Sequence, residues 1–398
     1  MTRKRRITLL SLYNFHSFAI RGFHSLLLKH GFPTKAVYFK RSVYIDGMLM
    51  PSEFYRLCNV IESTEPEILA ISAHSPLFPL VKRVAKQMKL RMPECEVCIG
   101  GEHATAKPEE CLECADYVVV GEGEKAILHM ANGELKKGEV SGPFELENDL
   151  DSLPFSHYGE GIYYVGEEKP WVEKSYLTGR GCPFACTYCQ EAVRRRVHGA
   201  GYANVRRKSV GKVMEDLKLL TARDDNHDII FSDAVFTSDK KWLGEFCEVY
   251  GKTGRRFSCY SNASMLDEDM IKMMKESGLQ GVRLGVQSGS KRIRRELYNR
   301  KDKLDDILAA AELLRKYQVS GGYDFIVDNP YETAEDWGAT QKFKRMLPKP
   351  VYFQNFTLRW WPNTPLTNQA LDDGVICEDD VEGNFLQFGT WWNNTMRV

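Results

Sequence analysis

The stretch Thr178–Glu191, T-G-R-G-C-P-F-A-C-T-Y-C-Q-E, decides how the rest of the chain is read. It sets Cys182, Cys186 and Cys189 in a C-x3-C-x2-C array. Three thiolates this close cannot all point into a packed core, but they can converge on one iron–sulfur cluster. Ser175-Tyr176-Leu177-Thr178 reads as the end of a strand. Gly179, Gly181 and Pro183 break regular structure, so the cysteines are expected on the loop after that strand. Three ligands on a four-iron cluster leave one iron open to a substrate or cofactor. A three-cysteine zinc site and buried free thiols are the competing readings. Zinc loops usually supply a fourth Cys or His at short spacing, and the nearest His here, His198, follows an Arg run.

Working outward, the chain has 398 residues, enough for two or three domains with ample core. Lys plus Arg equals Asp plus Glu at 54 each, so no global field steers the protein to nucleic acid or an anionic membrane. No apolar run approaches the roughly 18 residues of a membrane span. Met1–Arg6 is basic like a signal n-region, but Ile7–Leu12 is too short for an h-region and polar Asn14 and His16 follow. Eleven cysteines, an odd number and without an export signal, point to a reducing cytoplasm rather than a disulfide framework.

Before the cysteine loop, strand signals at Ile7–Tyr13, Ala36–Phe39, Glu67–Ser72, Cys95–Ile99 and Tyr117–Val120 alternate with helix signals at Ser17–His30, Pro51–Ser63 and Leu77–Arg91. This predicts a parallel α/β sheet, whose ligands bind at the carboxyl ends of the strands. The turns Ser72–Ser75, Gly100–His103 and Gly121–Glu124 fall there, and their glycines would let a large flat ligand approach the backbone. Cys95-x2-Cys98 and Cys111-x2-Cys114 have zinc-ribbon-like spacing, but Cys98 lies in a buried strand and Cys111 and Cys114 on a helix, so small buried thiols are the expected reading. Ser141–Asp151 reads as a polar linker, and Leu153–Glu173 as a connecting segment with a short hairpin around Tyr163–Pro170.

After the loop, Arg194–Arg196 and Arg206–Lys208 read as a solvated helix end and the lead into an N-cap at Ser209. A clamp for an anionic substrate is the alternative. Strands are expected at Asp228–Asp233, Phe257–Asn262, Gly281–Val286, Gly322–Val327 and Phe353–Leu358, with helices between them. This is a partial barrel whose chemistry sits at the strands' carboxyl ends. The aromatic tail Gly383–Val398, with Phe385, Phe388, Trp391 and Trp392, is expected to pack on the body or line its mouth.

The cysteine array, with Tyr188 before its third cysteine, resembles the signature of the radical S-adenosylmethionine (SAM) superfamily. The ordered set I-S-A-H-S, G-G-E-H-A-T with P-E-E, and V-V-V-G-E-G-E resembles the cobalamin-binding domain that precedes many radical SAM domains. The resemblance implies an α/β chain of four parts. Residues 1–138 would form a Rossmann-like cobalamin-binding domain and 139–172 a linker. Residues 173–366 would form a partial (β/α)6 TIM barrel and 367–398 a C-terminal extension. It implies a 4Fe-4S cluster on Cys182, Cys186 and Cys189. SAM would contact Tyr188, Ser232, Asp233, Asn262, Gln287, Ser288 and Val327. Gln287-Ser288-Gly289-Ser290 resembles G-x-E-S-G-S with an amide in place of the acid, which can hydrogen-bond but cannot pair with a cation. Cobalamin would contact Ser72, His74, Ser75, Gly100, Gly101, Glu102, His103, Gly121, Glu122 and Gly123.

The D-x-H-x-x-G element of other cobalamin domains is absent, so no motif assigns a lower axial ligand. His16, His74 and His103 read as turn residues. The implied activity is methyl transfer from SAM through methylcobalamin to an unactivated carbon, or less often phosphorus, using a 5′-deoxyadenosyl radical. A cobalamin-dependent cyclase or ring-rearranging enzyme, a cobalamin-free methylthiotransferase and a cobalamin sensor with a decayed barrel are the alternatives. Implied partners are a small-molecule or peptide substrate and a flavodoxin or ferredoxin reductant. No residue is singled out as catalytic.

Overall fold

The computed structural model describes residues 3–15, 17–40, 49–156, 159–166, 175–222, 228–382 and 396–397. The chain forms two compact units. One comprises Met1–Val172, Val193–Gly201 and Trp360–Gly389; the other comprises Glu173–Ala192, Tyr202–Arg359 and Thr390–Val398.

The first unit is built on seven strands: β1 Ile7–Leu12, β2 Thr34–Phe39, β3 Ile68–Ser72, β4 Glu96–Gly100, β5 Tyr117–Val119, β6 Glu139–Ser141 and β7 Ile162–Val165. They are ordered β6-β5-β4-β3-β1-β2-β7, every neighbouring pair parallel. A parallel sheet is covered on both faces, which is why I-T-L-L-S-L is buried throughout. Alternate residues feed two cores. Leu10, Val37, Leu69, Ile71 and Val97 pack under helices Pro51–Ser63 and Phe78–Arg91. Leu9, Tyr38, Ile68 and Cys98 pack under helices Phe18–Lys29 and Glu124–Ala131. Strand order reverses between β1 and β3, which opens a crevice at their carboxyl ends.

Two expectations change here. Glu139–Ser141, read as the start of a linker, pairs with β5, its Val140 opposite Val118. Ile162–Val165 pairs in parallel with β2 and is an edge strand rather than an arm of a local hairpin; the rest of that segment, 167–170, lies outside the described residues. Period-2 patterning is too short in either stretch to reveal a distant partner.

The second unit carries β8 Ser175–Tyr176, β9 Gly179–Arg180, β10 Arg206–Arg207, β11 Ile229–Phe231, β12 Phe257–Ser261, β13 Leu279–Gln287, β14 Ser320–Val327, β15 Tyr352–Thr357 and β16 Met396–Arg397. Strands β8, β11, β12, β13, β14 and β15 are parallel neighbours in chain order, and β16 joins β15 antiparallel. β8 and β16 stand at the two edges, so this is an open six-unit α/β barrel. Four of the intervening helices start on side-chain caps, at Ser209, Asp239, Asp267 and Thr333. Phe231, Cys259, Leu284, Phe325 and Phe353 are buried, and on the opposite side of the sheet Tyr260, Arg283, Asp324 and Phe356 are only half-buried. The aromatic tail residues Phe385, Phe388, Trp391 and Trp392, and His16, lie outside the described residues.

Candidate active site

Cys182, Cys186 and Cys189 lie between β9 and the helix Gln190–His198, all three half-buried. The loop leaves β9, which pairs antiparallel with β10, through Gly181 at φ +96. A Cβ there would stand 2.8 Å from the Tyr202 carbonyl oxygen and 2.9 Å from that of Asn204, so glycine is required. Burial, with Glu191, Cys186 and Cys182 nearby, pushes the Cys189 thiol up to about 12. Such a thiol stays protonated at neutral pH until a metal replaces its proton. Among the described residues no three His, Cys, Asp or Glu side chains are grouped tightly enough to hold a single ion. Three mutually interacting thiols suit a multi-iron cluster, whose ligands sit on separate irons and stand further apart.

The loop is clamped by a segment that sequence reasoning passed over. A π-helical turn, Ile293–Leu297, leads into Tyr298-Asn299-Arg300. Thr187 N–H donates to the Tyr298 carbonyl at 3.3 Å, the Thr187 hydroxyl donates to that of Leu297, and the Asn299 amide donates to that of Ala185 at 2.9 Å. Arg300 donates to the Tyr188 hydroxyl at 3.1 Å and the Gly285 carbonyl at 2.7 Å. Asp302, buried, holds Arg300 at 3.2 Å and Arg294 at 2.7 Å. Burial would lower Arg300, but Tyr188, Asp302 and Cys186 raise it, so a fixed positive charge stands near the cysteines. Only burial distinguishes Arg294 and Arg300 from the solvated arginines around them.

The expected SAM residues divide. Tyr188 is half-buried, its ring edge-on against Tyr298 with ring centres 4.9 Å apart. Ser232 follows β11 directly, its hydroxyl 3.4 Å from that of Ser175. The Asp233 carboxylate accepts from the Thr178 N–H at 3.1 Å and the Thr178 hydroxyl at 2.7 Å, with Arg207 3.7 Å away. That makes Asp233 a brace of the cluster loop, and a ligand contact would have to share its oxygens. Asn262 Oδ1 accepts from the Ser264 N–H and hydroxyl, at 3.0 and 2.8 Å. Gln287 and Val327 end β13 and β14 half-buried, Gln287 at φ +71. Ser288 is fully buried, bonded to Glu332 and Thr340, and braces its loop. Gly289 is explained by packing: a Cβ would stand 2.6 Å from Thr340 Cα.

The same loop is tied to the next one through Asp336, which accepts from Arg292, from Ser290 at 2.5 Å and from the Thr333 hydroxyl at 2.9 Å. Arg292 holds this carboxyl well below its usual range. A depressed carboxyl stabilises the fold above its ordinary value of 3.8 and loses that contribution as pH falls below it. Asp336→Ala is expected to lose about 2 kcal/mol at pH 6. Urea unfolding at pH 6 and pH 3 should show that difference shrinking at the lower pH.

Deeper in the barrel, Arg283 Nε donates to Asp324 at 2.7 Å, its guanidinium 5.6 Å from the Tyr260 ring centre and 5.4 Å from that of Phe356. These four residues come from β12, β13, β14 and β15 and went unnoticed in the sequence. A guanidinium between two rings suits a planar or anionic group.

In the first unit, the expected cobalamin residues gather at the carboxyl ends of β3, β4 and β5. His74 Nδ1 lies 2.9 Å from the Glu102 carboxylate, and Arg194 donates to the same carboxylate at 2.9 Å. Burial would raise Glu102, but His74 and Arg194 bring it down to about 2. Ser72 and Gly100 face each other across the β3–β4 pair, and Gly101 follows at φ +99, where a Cβ would stand 2.9 Å from the Ala73 carbonyl oxygen. The Ser75 hydroxyl is buried and has no hydrogen-bond partner among the described residues. Glu122 is half-buried in the turn after β5. A buried orphan hydroxyl beside a half-exposed imidazole, in a crevice at a strand-order reversal, fits a bound corrinoid.

Three expectations are revised. A Cβ on Gly121 would meet the His198 ring at 2.5 Å and one on Gly123 the Phe23 ring at 2.5 Å, so those glycines admit side chains of this chain rather than a flat ligand. His103 is buried and stacked 3.9 Å from Phe78; burial pulls it down to about 4, keeping it neutral as a core residue. The Arg run is a partly solvated helix end with two of its arginines tied down: Arg194 meets Glu102 and exposed Arg196 the Asn363 carbonyl, each at 2.9 Å, and Ser209 caps the next helix as expected. Cys95 and Cys111 lie in one core and Cys98 in the other, as buried thiols.

Residues 176–343 match the radical SAM superfamily model, and residues 11–131 match that of the B12 binding domain. The chain belongs to the radical SAM proteins that carry a B12-binding domain, and its cofactors are a 4Fe-4S cluster, SAM and cobalamin. "Uncharacterized methyltransferase PH0819" of Pyrococcus horikoshii is 27% identical over 83% of this chain and 75% of its own length. The anaerobic magnesium-protoporphyrin IX monomethyl ester cyclase of Rubrivivax gelatinosus is 23% identical over 86% of this chain, which spans 65% of that protein. Among solved structures, the radical SAM methyltransferase TsrM from Kitasatospora setae superposes with a TM-score of 0.73 at 15% identity, covering 93% of this chain and 76% of TsrM, a likeness of fold. No helix among the described residues is long and apolar enough to cross a membrane.

Proposed function

We propose that this chain is a cobalamin-dependent radical SAM methyltransferase that moves a methyl group from SAM to an unactivated carbon of a small-molecule or peptide substrate. The observation that carries the reading is the pairing, in one chain, of a three-thiol loop on an open parallel barrel with a corrinoid-type crevice. The match to a protein named a methyltransferase supports it. Bound here, the cluster supplies the electron for SAM cleavage and the corrinoid carries the methyl group.

The chain's own residues position these groups. Cys182, Cys186 and Cys189 hold iron, and Arg300 places positive charge beside Cys186. Asp233 and the Leu297–Arg300 clamp fix the loop. Tyr188, Asn262, Gln287 and Val327 offer a surface for SAM at the strand ends, and the Arg283–Asp324 pair offers a polar floor to the barrel. A flavodoxin or ferredoxin reductant and a cytoplasmic location belong to the same proposal. The match to a cyclase keeps ring formation as a second reading.

The test is anaerobic reconstitution with iron, sulfide and hydroxocobalamin, desalting, and then turnover with methyl-labelled SAM. About four irons and one corrinoid per chain, with label in the product, are expected. Iron retained without corrinoid overturns the cobalamin route. Product formed without label selects cyclisation.

A further inference from the structure

We propose that His74 is an axial ligand of the corrinoid cobalt through Nε2, with Glu102 and Arg194 as its positioning residues. The inference rests on the cobalamin reading above and goes beyond it, because the D-x-H-x-x-G element that would assign such a ligand is missing from this sequence.

Four observations converge on His74. It lies just beyond β3, at the strand-order reversal where ligands of open parallel sheets bind. Its Nδ1 faces Glu102 at 2.9 Å, so that nitrogen donates to the carboxylate and Nε2 is the one left for a metal in place of a proton. A carboxylate behind an imidazole is the arrangement that orients metal-binding histidines and makes the distal nitrogen a better donor. The carboxylate is itself held from the other side by Arg194 at 2.9 Å, so it cannot swing away.

The imidazole is also open. Its side chain is 33% exposed, and the hydrogen bond that fixes it runs through Nδ1 to Glu102, not through Nε2. The adjacent Ser75 hydroxyl is buried and has no hydrogen-bond partner among the described residues, a polar group at the same turn left for a ligand. Among the other described histidines of this unit, His103 is buried and stacks on Phe78 with Nε2 3.3 Å from Glu110, His24 Nε2 bonds the Thr34 carbonyl, His129 pairs with Glu134, His198 lies across Gly121, and His30 is exposed at the end of the helix Phe18–Lys29.

Ligation here is a simple donor–acceptor bond: Nε2 gives its lone pair to cobalt, a weakly held axial ligand such as water leaves, and no oxidant or reductant is consumed. The probe is cobinamide, a corrinoid without the nucleotide base, so that any nitrogen donor must come from the protein. The holo-protein, its cluster oxidised and diamagnetic, is loaded with cobinamide, mildly reduced to the cobalt(II) form and examined by electron paramagnetic resonance. The wild type is expected to show each cobalt line split into a triplet by one 14N, turning into doublets when the protein is grown on 15N-histidine. His74→Ala should retain cobinamide after desalting but lose the splitting. Glu102→Gln should keep the triplet while binding cobinamide about 10- to 100-fold more weakly. Bound cobalt(II) cobinamide without 14N splitting in the wild type, or splitting that persists in His74→Ala, overturns the assignment and leaves the cobalamin reading standing. Failure of the wild type to retain any corrinoid overturns both.

Discussion

Cys186→Ala is expected to strip the iron from this protein and abolish turnover while leaving the fold in place. Two thiolates and an alanine cannot hold a cluster that the loop presents to three. Reconstituted iron should fall from about four per chain to near zero, and activity by more than the roughly 100-fold typical of an outer-shell defect. The corrinoid should still bind, because its crevice belongs to the other unit. Cys98→Ala is the contrast. Cys98 is a buried thiol in the core of the seven-stranded sheet, so its loss should lower stability by about 1 kcal/mol and leave iron untouched. Iron retained by Cys186→Ala, or lost equally by Cys98→Ala, would sink the assignment of the cluster loop.

Asp302→Ala is expected to produce the largest loss of stability. Asp302 is 5% exposed and holds two buried guanidiniums, those of Arg294 and Arg300. Removing it leaves two like charges in the interior with only neutral carbonyl and hydroxyl acceptors, which costs about 3–5 kcal/mol. Burial would raise Asp302, but Arg300 and Arg294 hold it below its ordinary value of 3.8. Its contribution is therefore complete above that value and fades as pH falls below it. The urea midpoint difference between wild type and variant should be steady from pH 8 to pH 5 and shrink toward pH 3. Because Arg300 also grips Tyr188 and the Gly285 carbonyl, the variant should lose iron more readily when unfolding is still far off. A midpoint shift under 1 kcal/mol equivalent would show that the two arginines find other partners.

The cysteine loop could be read directly because Cys182, Cys186 and Cys189 lie within eight consecutive residues, whereas the Leu297–Arg300 clamp on it lies more than a hundred residues further along. The alternation of strands and helices was legible for a similar reason: parallel strands buried on both faces announce themselves as apolar runs. The short edge strands Glu139–Ser141 and Ile162–Val165 were not, since a three- or four-residue stretch takes its structure from the strand it pairs with.

The limits show most clearly in residues whose partners the sequence did not reveal. Asp233 and Ser288 stand in the expected loops, yet their polar atoms are engaged by Thr178 and by Thr340. Gly121 and Gly123 are glycines because His198 and Phe23 lie against them. Glu102 was expected at the crevice, but its clasp between His74 and Arg194, 28 and 92 residues away, was invisible.

The sequence by itself determined the iron–sulfur loop and the parallel α/β character of both halves, because local spacing and apolar runs encode them; SAM and cobalamin followed from the resemblance of its motifs to a known family. Tertiary structure alone decided which arginines carry buried charge, which histidine meets Glu102, and that Arg283 meets Asp324 within the barrel. Those outcomes depend on strand register and on which side chains lose water, and neither quantity is written in any single stretch of the chain.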